Sequence, residues 1–277
     1  MMERFARPTY ALGLLGLAMA LIPLNDALIK ILSAHISLGQ VVAVRAILSL
    51  ILVVFFSDGL RAMLDLSGPI FWQFFGRAMC LVVAMLLFFV SLGSLPLANV
   101  IAIFFVSPMI ITLLSVPLLG ESIGIHRLAS VSAGMAGVLM IMQPGSGDFQ
   151  PENLLVIGSA FSYALFQIWT RRLKADGSLS AMVTVQHLCY FAVGAIMIVA
   201  NVIWPVSPTG NTTLDFLLRG PVLMSVTDWL FILICCFSVL FLSVASSNAY
   251  RSIEASVIAP FEYTAIPFGA FWGVIPG

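Results

Sequence analysis

Apolar runs long enough, or nearly long enough, to cross a lipid bilayer recur along the whole of this 277-residue chain. They fall at Thr9–Ser33, Leu38–Phe56, Phe71–Leu92, Leu97–Leu119, His126–Met142, Leu154–Leu173, Ala181–Trp204, Trp229–Tyr250 and Ala255–Val274. A helix needs about 20 mainly apolar residues to cross a bilayer core. Lipid offers no partner to a free backbone amide, so each run must satisfy its own hydrogen bonds as a helix. A membrane β-barrel would instead show alternating segments of about ten residues, and the chain carries none. Composition closes the other routes. Only 9% of residues are charged and 61% are hydrophobic, whereas a soluble domain carries about 25% charged residues. That excludes a soluble enzyme and a disordered chain. Twelve Lys+Arg against twelve Asp+Glu, with no basic stripe, exclude nucleic acid as a partner. The expectation is an all-α integral membrane protein with nine transmembrane helices.

The connections carry chain breakers, among them Asp58-Gly59, Gly93-Ser94-Leu95-Pro96 and the Gln143–Asp148 stretch near mid-chain. The first run is too long for a signal-peptide core and reads as a retained helix. Cys80, Cys189, Cys235 and Cys236 all lie in apolar runs and read as small buried hydrophobes. Basic residues set the orientation. With a cytoplasmic N-terminus, Arg4, Arg7, Arg61, Arg127, Arg171, Arg172, Lys174 and Arg251 face the cytoplasm, and only Arg219 lies clearly outside.

The fourth and ninth runs begin alike. Ala98–Phe104 and Ala255–Phe261 share five of seven residues, and Trp72 matches Trp229 at the same offset. The first and sixth runs match at Gly16/Gly158, Ala18/Ala160, Asn25/Gln167 and Lys30/Arg172. The second and seventh match at Ser37-Leu38/Ser178-Leu179, Val42/Val183 and Val44/Val185. Order is kept across all four pairs, so five helices repeat as five helices. An odd number inverts the second copy, a plan used by secondary transporters. The halves are 9–142 and 154–277. In this register Gly120 meets Gly277, the last residue. The expectation is therefore a 5+5 plan whose tenth helix is missing, by truncation in the favoured reading or by a terminus rebuilt during divergence.

These features resemble the drug/metabolite transporter superfamily, in particular its EamA-type carriers. The resemblance rests on Asn25 and Lys30, on Arg45, and on the run from Ala98-Asn99-Val100 to Pro108 with Leu119-Gly120-Glu121 after it. Gly134 and Gly137 and the small-residue start of the sixth run also fit. Ala259–Thr264 is similar, loosely, to a subgroup that includes S-adenosylmethionine and other metabolite carriers. The resemblance implies an alternating-access carrier of a small organic metabolite or drug in the inner (plasma) membrane, with an amino-acid-like or nucleoside-like solute. No cofactor or metal is expected. A truncated remnant that inserts without transporting is the alternative. An embedded enzyme is disfavoured, because no HExxH or GxSxG exists and the histidines are scattered.

Polar groups at membrane depth are costly and mark function by default. Glu262, with Tyr263 beside it, reads as a substrate-cation contact or a proton-coupling site, or as a structural carboxylate. Pro260 frees the carbonyl of Ser256 and permits a kink. Arg45 reads as a holder of an anionic substrate group, or as the counter-ion of Asp26 or Glu262. Arg77 reads as snorkelling to the interface. Asp26 and Lys30, four apart, share a face and could pair. Asn25 and its mate Gln167 fall near the symmetry axis. Gln186 and His187 add polar groups in the seventh run, and Tyr163 and Trp169 are candidate cavity walls. The candidate cavity set is Asn25, Asp26, Arg45, Tyr163, Gln167, Gln186, Glu262 and Tyr263. Glu121, His126 and Arg127 read as interfacial charges and caps. Gly13-x-x-Gly16, Gly134-x-x-Gly137 and Gly269-x-x-x-Gly273 read as close-packing seams, the last against a tenth helix or a second subunit in a homodimer. Partners expected are a small-molecule substrate, the bilayer and a coupling proton.

Overall fold

The computed structural model describes residues 8–122, 152–207 and 209–265, with single positions at 124, 125, 129, 132, 133, 136, 140, 150 and 268. Among the described residues every regular element is helical. The helices are α1 (Pro8–Ser33), α2 (Leu38–Phe56), α3 (Gly59–Leu64), α4 (Gly68–Ser94), α5 (Leu97–Phe104), α6 (Ser107–Leu119), α7 (Asn153–Arg172), α8 (Leu179–Ile203), α9 (Thr212–Leu218), α10 (Val226–Ser252) and α11 (Ala255–Ile258). A 3-10 turn, Ala259–Thr264, continues α11.

By length and composition seven helices can cross a membrane, counting Asn99–Leu119 as one. They coincide with seven of the nine expected runs. The fifth expected run (126–142) and the end of the ninth fall mostly outside the described residues, as do Gly134, Gly137, Gly269 and Gly273. The protein is thus a multi-pass membrane protein built from helices.

Local chemistry explains the ends. Ser37 and Ser178 accept the N–H groups of Gln40 and Ala181 and start α2 and α8. Ser225 and Asp228 form a reciprocal capping box on α10. Gly120 closes α6 at φ 69°, a left-handed cap that glycine adopts without strain. Two expected spans are not continuous. The fourth breaks at Phe105–Val106, where Pro108 cannot donate to the carbonyl of Phe104 and a new helix starts. The ninth begins as four α-helical residues and tightens into the 3-10 turn at Pro260. The short helices α3 and α9 lie where the sequence promised only connections.

α2 packs on α8, α4 on α7, and α1 on α10; α5 and α6 lie on α7, and the 3-10 turn lies on α1 and α6. Helices in lipid gain contact by close packing rather than by hiding apolar surface from water. Glycine provides the closest approach between α2 and α8. A Cβ on Gly194 would stand 2.5 Å from the backbone N of Ala43, and one on Gly39 would stand 2.7 Å from Cβ of Met197. The Gly13/Gly16 seam finds no partner among the described residues: a Cβ at either position meets none of them within 4 Å. Those glycines face away from the described helices. The four cysteines are free and at least partly buried, as expected.

Candidate functional site

A cavity of about 180 Å³ lies where α1, α2, α4, α7, α8, α10, the α5–α6 break and the 3-10 turn converge. A water needs at least about 10–15 Å³ of such space, so the volume suits a small organic molecule better than an isolated water. Most of its wall is apolar and aromatic. Phe88 stacks edge-on to Phe104 at 5.3 Å, and Phe104 lies 5.4 Å from Tyr163. Against this wall stand a few polar groups, as small-molecule sites require.

One polar group is Glu262, buried on the 3-10 turn. Its Oε1 accepts the hydroxyl of Tyr250 at 2.8 Å, the hydroxyl of Tyr163 at 3.0 Å and the amide of Gln167 at 3.5 Å. Gln167 also donates to Ser246 at 2.9 Å. Tyr163, Ser246 and Glu262 line the cavity; Tyr250 and Gln167 stand behind them. Two spans, α7 and α10, therefore solvate this carboxylate, with no cation paired to it among the described residues.

A second polar group comes from α1 and α2. Pro23 leaves the carbonyl of Met19 without its helical donor, and Met19, Pro23, Asn25 and Asp26 all face the cavity. The Asn25 amide donates to Asp26 at 3.0 Å, while its own Oδ1 is buried and unpartnered. Arg45 lies opposite on α2, buried, with Nη2 3.4 Å from the sulfur of Met85 and the guanidinium 5.8 Å over the Tyr190 ring.

The third is Arg77, which is 0% exposed. It donates to Thr170 at 2.6 Å, Ser247 at 2.7 Å and Gln186 at 3.4 Å, and its guanidinium sits 4.1 Å over Phe166. Gln186 in turn donates to Ser243 at 2.8 Å. Gln186, Ser243 and Phe166 are cavity wall.

Six of the eight candidate residues thus meet in one cavity: Asn25, Asp26, Arg45, Tyr163, Gln186 and Glu262. Gln167 supports from behind. Tyr263 does not line the cavity; it is half-buried with its ring 5.9 Å from Phe105. Trp169 is also displaced and covers Gly76 instead. Among the described residues the contacts between acidic and basic side chains are His35–Asp228 at 2.9 Å and the ion pair Arg171–Glu121 at 3.6 Å. Arg45 is therefore not the ion-pair partner of Asp26 or Glu262. Asp26 does not pair with Lys30, whose ammonium caps the carbonyl of Leu92. Arg77 does not snorkel; a ring and a hydroxyl on α7, an amide oxygen on α8 and a hydroxyl on α10 hold it. His187 is a structural histidine, its Nδ1 3.0 Å from the carbonyl of Val183. His126 and Arg127 lie outside the described residues. Sequence reasoning missed Tyr250, Ser243 and Ser246. Their only signal was polarity within an apolar run.

Residues 9–143 match the EamA-like transporter family. The chain is 26% identical over 178 residues to a riboflavin transporter of Vibrio cholerae, covering 64% of this chain and 54% of that protein. It is 26% identical over 169 residues to an S-adenosylmethionine uptake transporter of Rickettsia prowazekii, covering 60% and 54%. It is 25% identical over 259 residues to an S-adenosylmethionine uptake transporter of Rickettsia bellii, covering 92% and 86%. The alignment spans about half the length of the first two relatives. The matched family and these relatives are transporters rather than enzymes, and over residues 9–143 the chain is similar to the EamA-type carriers.

Proposed function

We propose that the protein is a secondary carrier of a small organic solute in the inner (plasma) membrane, working by alternating access with its N-terminus in the cytoplasm. Its halves would be 9–142 and 154–277, two five-helix units of opposite topology. The observation that carries this reading is a single cavity whose wall holds Arg45 and Glu262, each without an ion-pair partner among the described residues. A buried charge left unpaired costs several kcal/mol, and a solute that supplies the missing charge relieves that cost.

The repeat register supports the same reading. The offset that aligns Val42 with Val183 also aligns Arg45 with Gln186, and both line the cavity. The offset that aligns Trp72 with Trp229 aligns Met85 with Leu242, Phe89 with Ser246, and Phe105 with Glu262, all of them wall residues. Both interrupted spans, the fourth and the ninth, break at this cavity. Discontinuous helices meeting at a repeat interface are how carriers build midplane sites.

The solute is an amino-acid-like or nucleoside-like metabolite. Its anionic group docks on Arg45, its cationic or N–H group on Glu262, and its flat part on Phe104 and Tyr163. Asp26 and Glu262 are the carboxylates placed to carry a coupling proton. The test is uptake into proteoliposomes of labelled riboflavin, S-adenosylmethionine, amino acids and nucleosides, with and without an imposed proton gradient. One class should show saturable flux that unlabelled solute on the far side accelerates. Tight binding without exchange would replace the carrier reading with that of a binding protein.

A further inference from the structure

The end of the molecule opposite His35 holds a contact that the cavity does not use. Glu121 follows the Gly120 cap of α6, and its side chain is almost fully buried. One carboxylate oxygen accepts the N–H of Ala255 at 3.0 Å, and the other accepts the N–H of Ser256 at 3.0 Å. Arg171, at the end of α7, approaches the same carboxylate at 3.6 Å and also donates to the carbonyl of Arg251 at 3.2 Å. The first-turn donors of α11 have no acceptor within their own helix, and Glu254 at its N-cap gives them no side chain. Glu121 reaches across from the end of α6 to accept the first two, those of Ala255 and Ser256, while Val257 and Ile258 donate to the Glu254 carbonyl. The segment it grips is the one that presents Glu262 to the cavity seven residues later.

We infer that Glu121 is a positioning residue that works as a latch. It ties the start of the Glu262 segment, and Arg171 beside it, to the end of α6, and holds the cavity shut on that side. The inference rests on the carrier reading, since only a carrier needs this end to open. Opening requires the carboxylate to leave two N–H groups and a guanidinium together, which is a discrete step rather than a gradual deformation. The contact joins segments more than a hundred residues apart, so it reports directly on how the two parts of the chain sit.

The test needs no substrate. Ser107, a buried wall residue of the cavity, is replaced by cysteine in a chain whose four native cysteines are changed to serine or alanine. A membrane-impermeant maleimide is then applied to right-side-out or to inside-out vesicles. Glu121→Gln should raise the labelling rate about tenfold from the Glu121 side, and leave it unchanged from the His35 side. A second variant acts from the other partner. Ala255→Pro deletes one of the two N–H donors at the first helical position, where proline fits, and Glu254 already has the ψ of 137° that a following proline favours. It should shift labelling in the same direction by a smaller factor. Equal acceleration from both sides, or none from either in both variants, overturns the latch. One-sided opening in a chain that shows no exchange with any solute would keep the latch and overturn the carrier reading.

Discussion

Glu262 keeps its burial tolerable through two phenols and an amide, and this decides what its replacement should do. In Glu262→Gln the new amide oxygen can still accept from Tyr163 and Tyr250, so insertion and melting should change little. Binding of a solute through a cationic group should fall at least tenfold, about 1.4 kcal/mol, in a titration of the purified protein. Unchanged transport kinetics would remove Glu262 from the mechanism. Arg45 has the opposite sign and a poorer shell, one sulfur contact and one ring face. A charge-assisted contact is worth about 1.5–3 kcal/mol, so Arg45→Ala should weaken anionic or zwitterionic solutes by at least tenfold more than cationic ones. Equal loss for both kinds would mark a structural arginine. Arg77→Lys keeps the charge but cannot fork between Thr170 and Ser247. It should lower stability by about 2–3 kcal/mol, the worth of one or two lost charged hydrogen bonds, read as a lower melting midpoint. The sequence announces each of these charges, because an ionisable group in an apolar run is conspicuous. It does not announce partners. The Asp26–Lys30 spacing was compatible with a pair, yet Lys30 reaches a carbonyl of α4 and Asp26 turns to its neighbouring amide. Spacing constrains which side chains share a face, and the bundle decides what lies across from it.

At the scale of helices, hydropathy located the spans because lipid imposes one length and one polarity on all of them. It could not show that the fourth and ninth are interrupted. A break in the backbone leaves the side-chain average unchanged, and only Pro108 and Pro260 hinted at one. The short α3 and α9 escaped because six or seven residues are too few for a periodicity. Glycine spacing misled in a more instructive way. Gly13 and Gly16 have the spacing of a packing seam but meet none of the described residues, whereas Gly194 and Gly39, with no motif around them, sit where α2 and α8 nearly touch. A paired prediction follows from the geometry. Gly194→Ala puts a methyl group against the backbone of Ala43, which cannot rotate away as a side chain could. Forcing the helices apart should cost about 1–3 kcal/mol and lower the melting midpoint. Gly13→Ala meets none of the described residues and removes a flexible residue from a helix interior, so it should be neutral or stabilising by up to about 1 kcal/mol. If the two variants melted alike, the α2–α8 contact would not be the close one.

For the whole molecule, side-chain contacts tie distant segments together at both ends. Beyond Glu121 at one end, the other end joins the α1–α2 turn to the segment before α10. Arg219 donates to the carbonyl of Ser33 at 3.1 Å. Gln40 pairs with both backbone groups of Val222, at 2.7 and 3.0 Å. His35 meets Asp228 at 2.9 Å, and that same carboxyl group caps α10. The order of matching segments along the chain hinted at two related units. It gave no sign of where they touch, because Glu121, Gln40 and Val222 gain their meaning only once distant segments meet. Taken with the latch proposed for Glu121, these contacts make a prediction that neither end makes alone. Gln40→Ala should speed maleimide labelling of a cysteine at position 107 from the His35 side only, since it removes two hydrogen bonds there and none at the other end. Combined with Glu121→Gln, it should admit the reagent from both sides. In proteoliposomes the double variant should let solute equilibrate without accelerated exchange, whereas each single variant should retain exchange at a reduced rate. A carrier conserves coupling by never releasing both ends at once. Retained exchange in a double variant that labels from both sides would therefore mean that the closures governing transport lie elsewhere in the bundle.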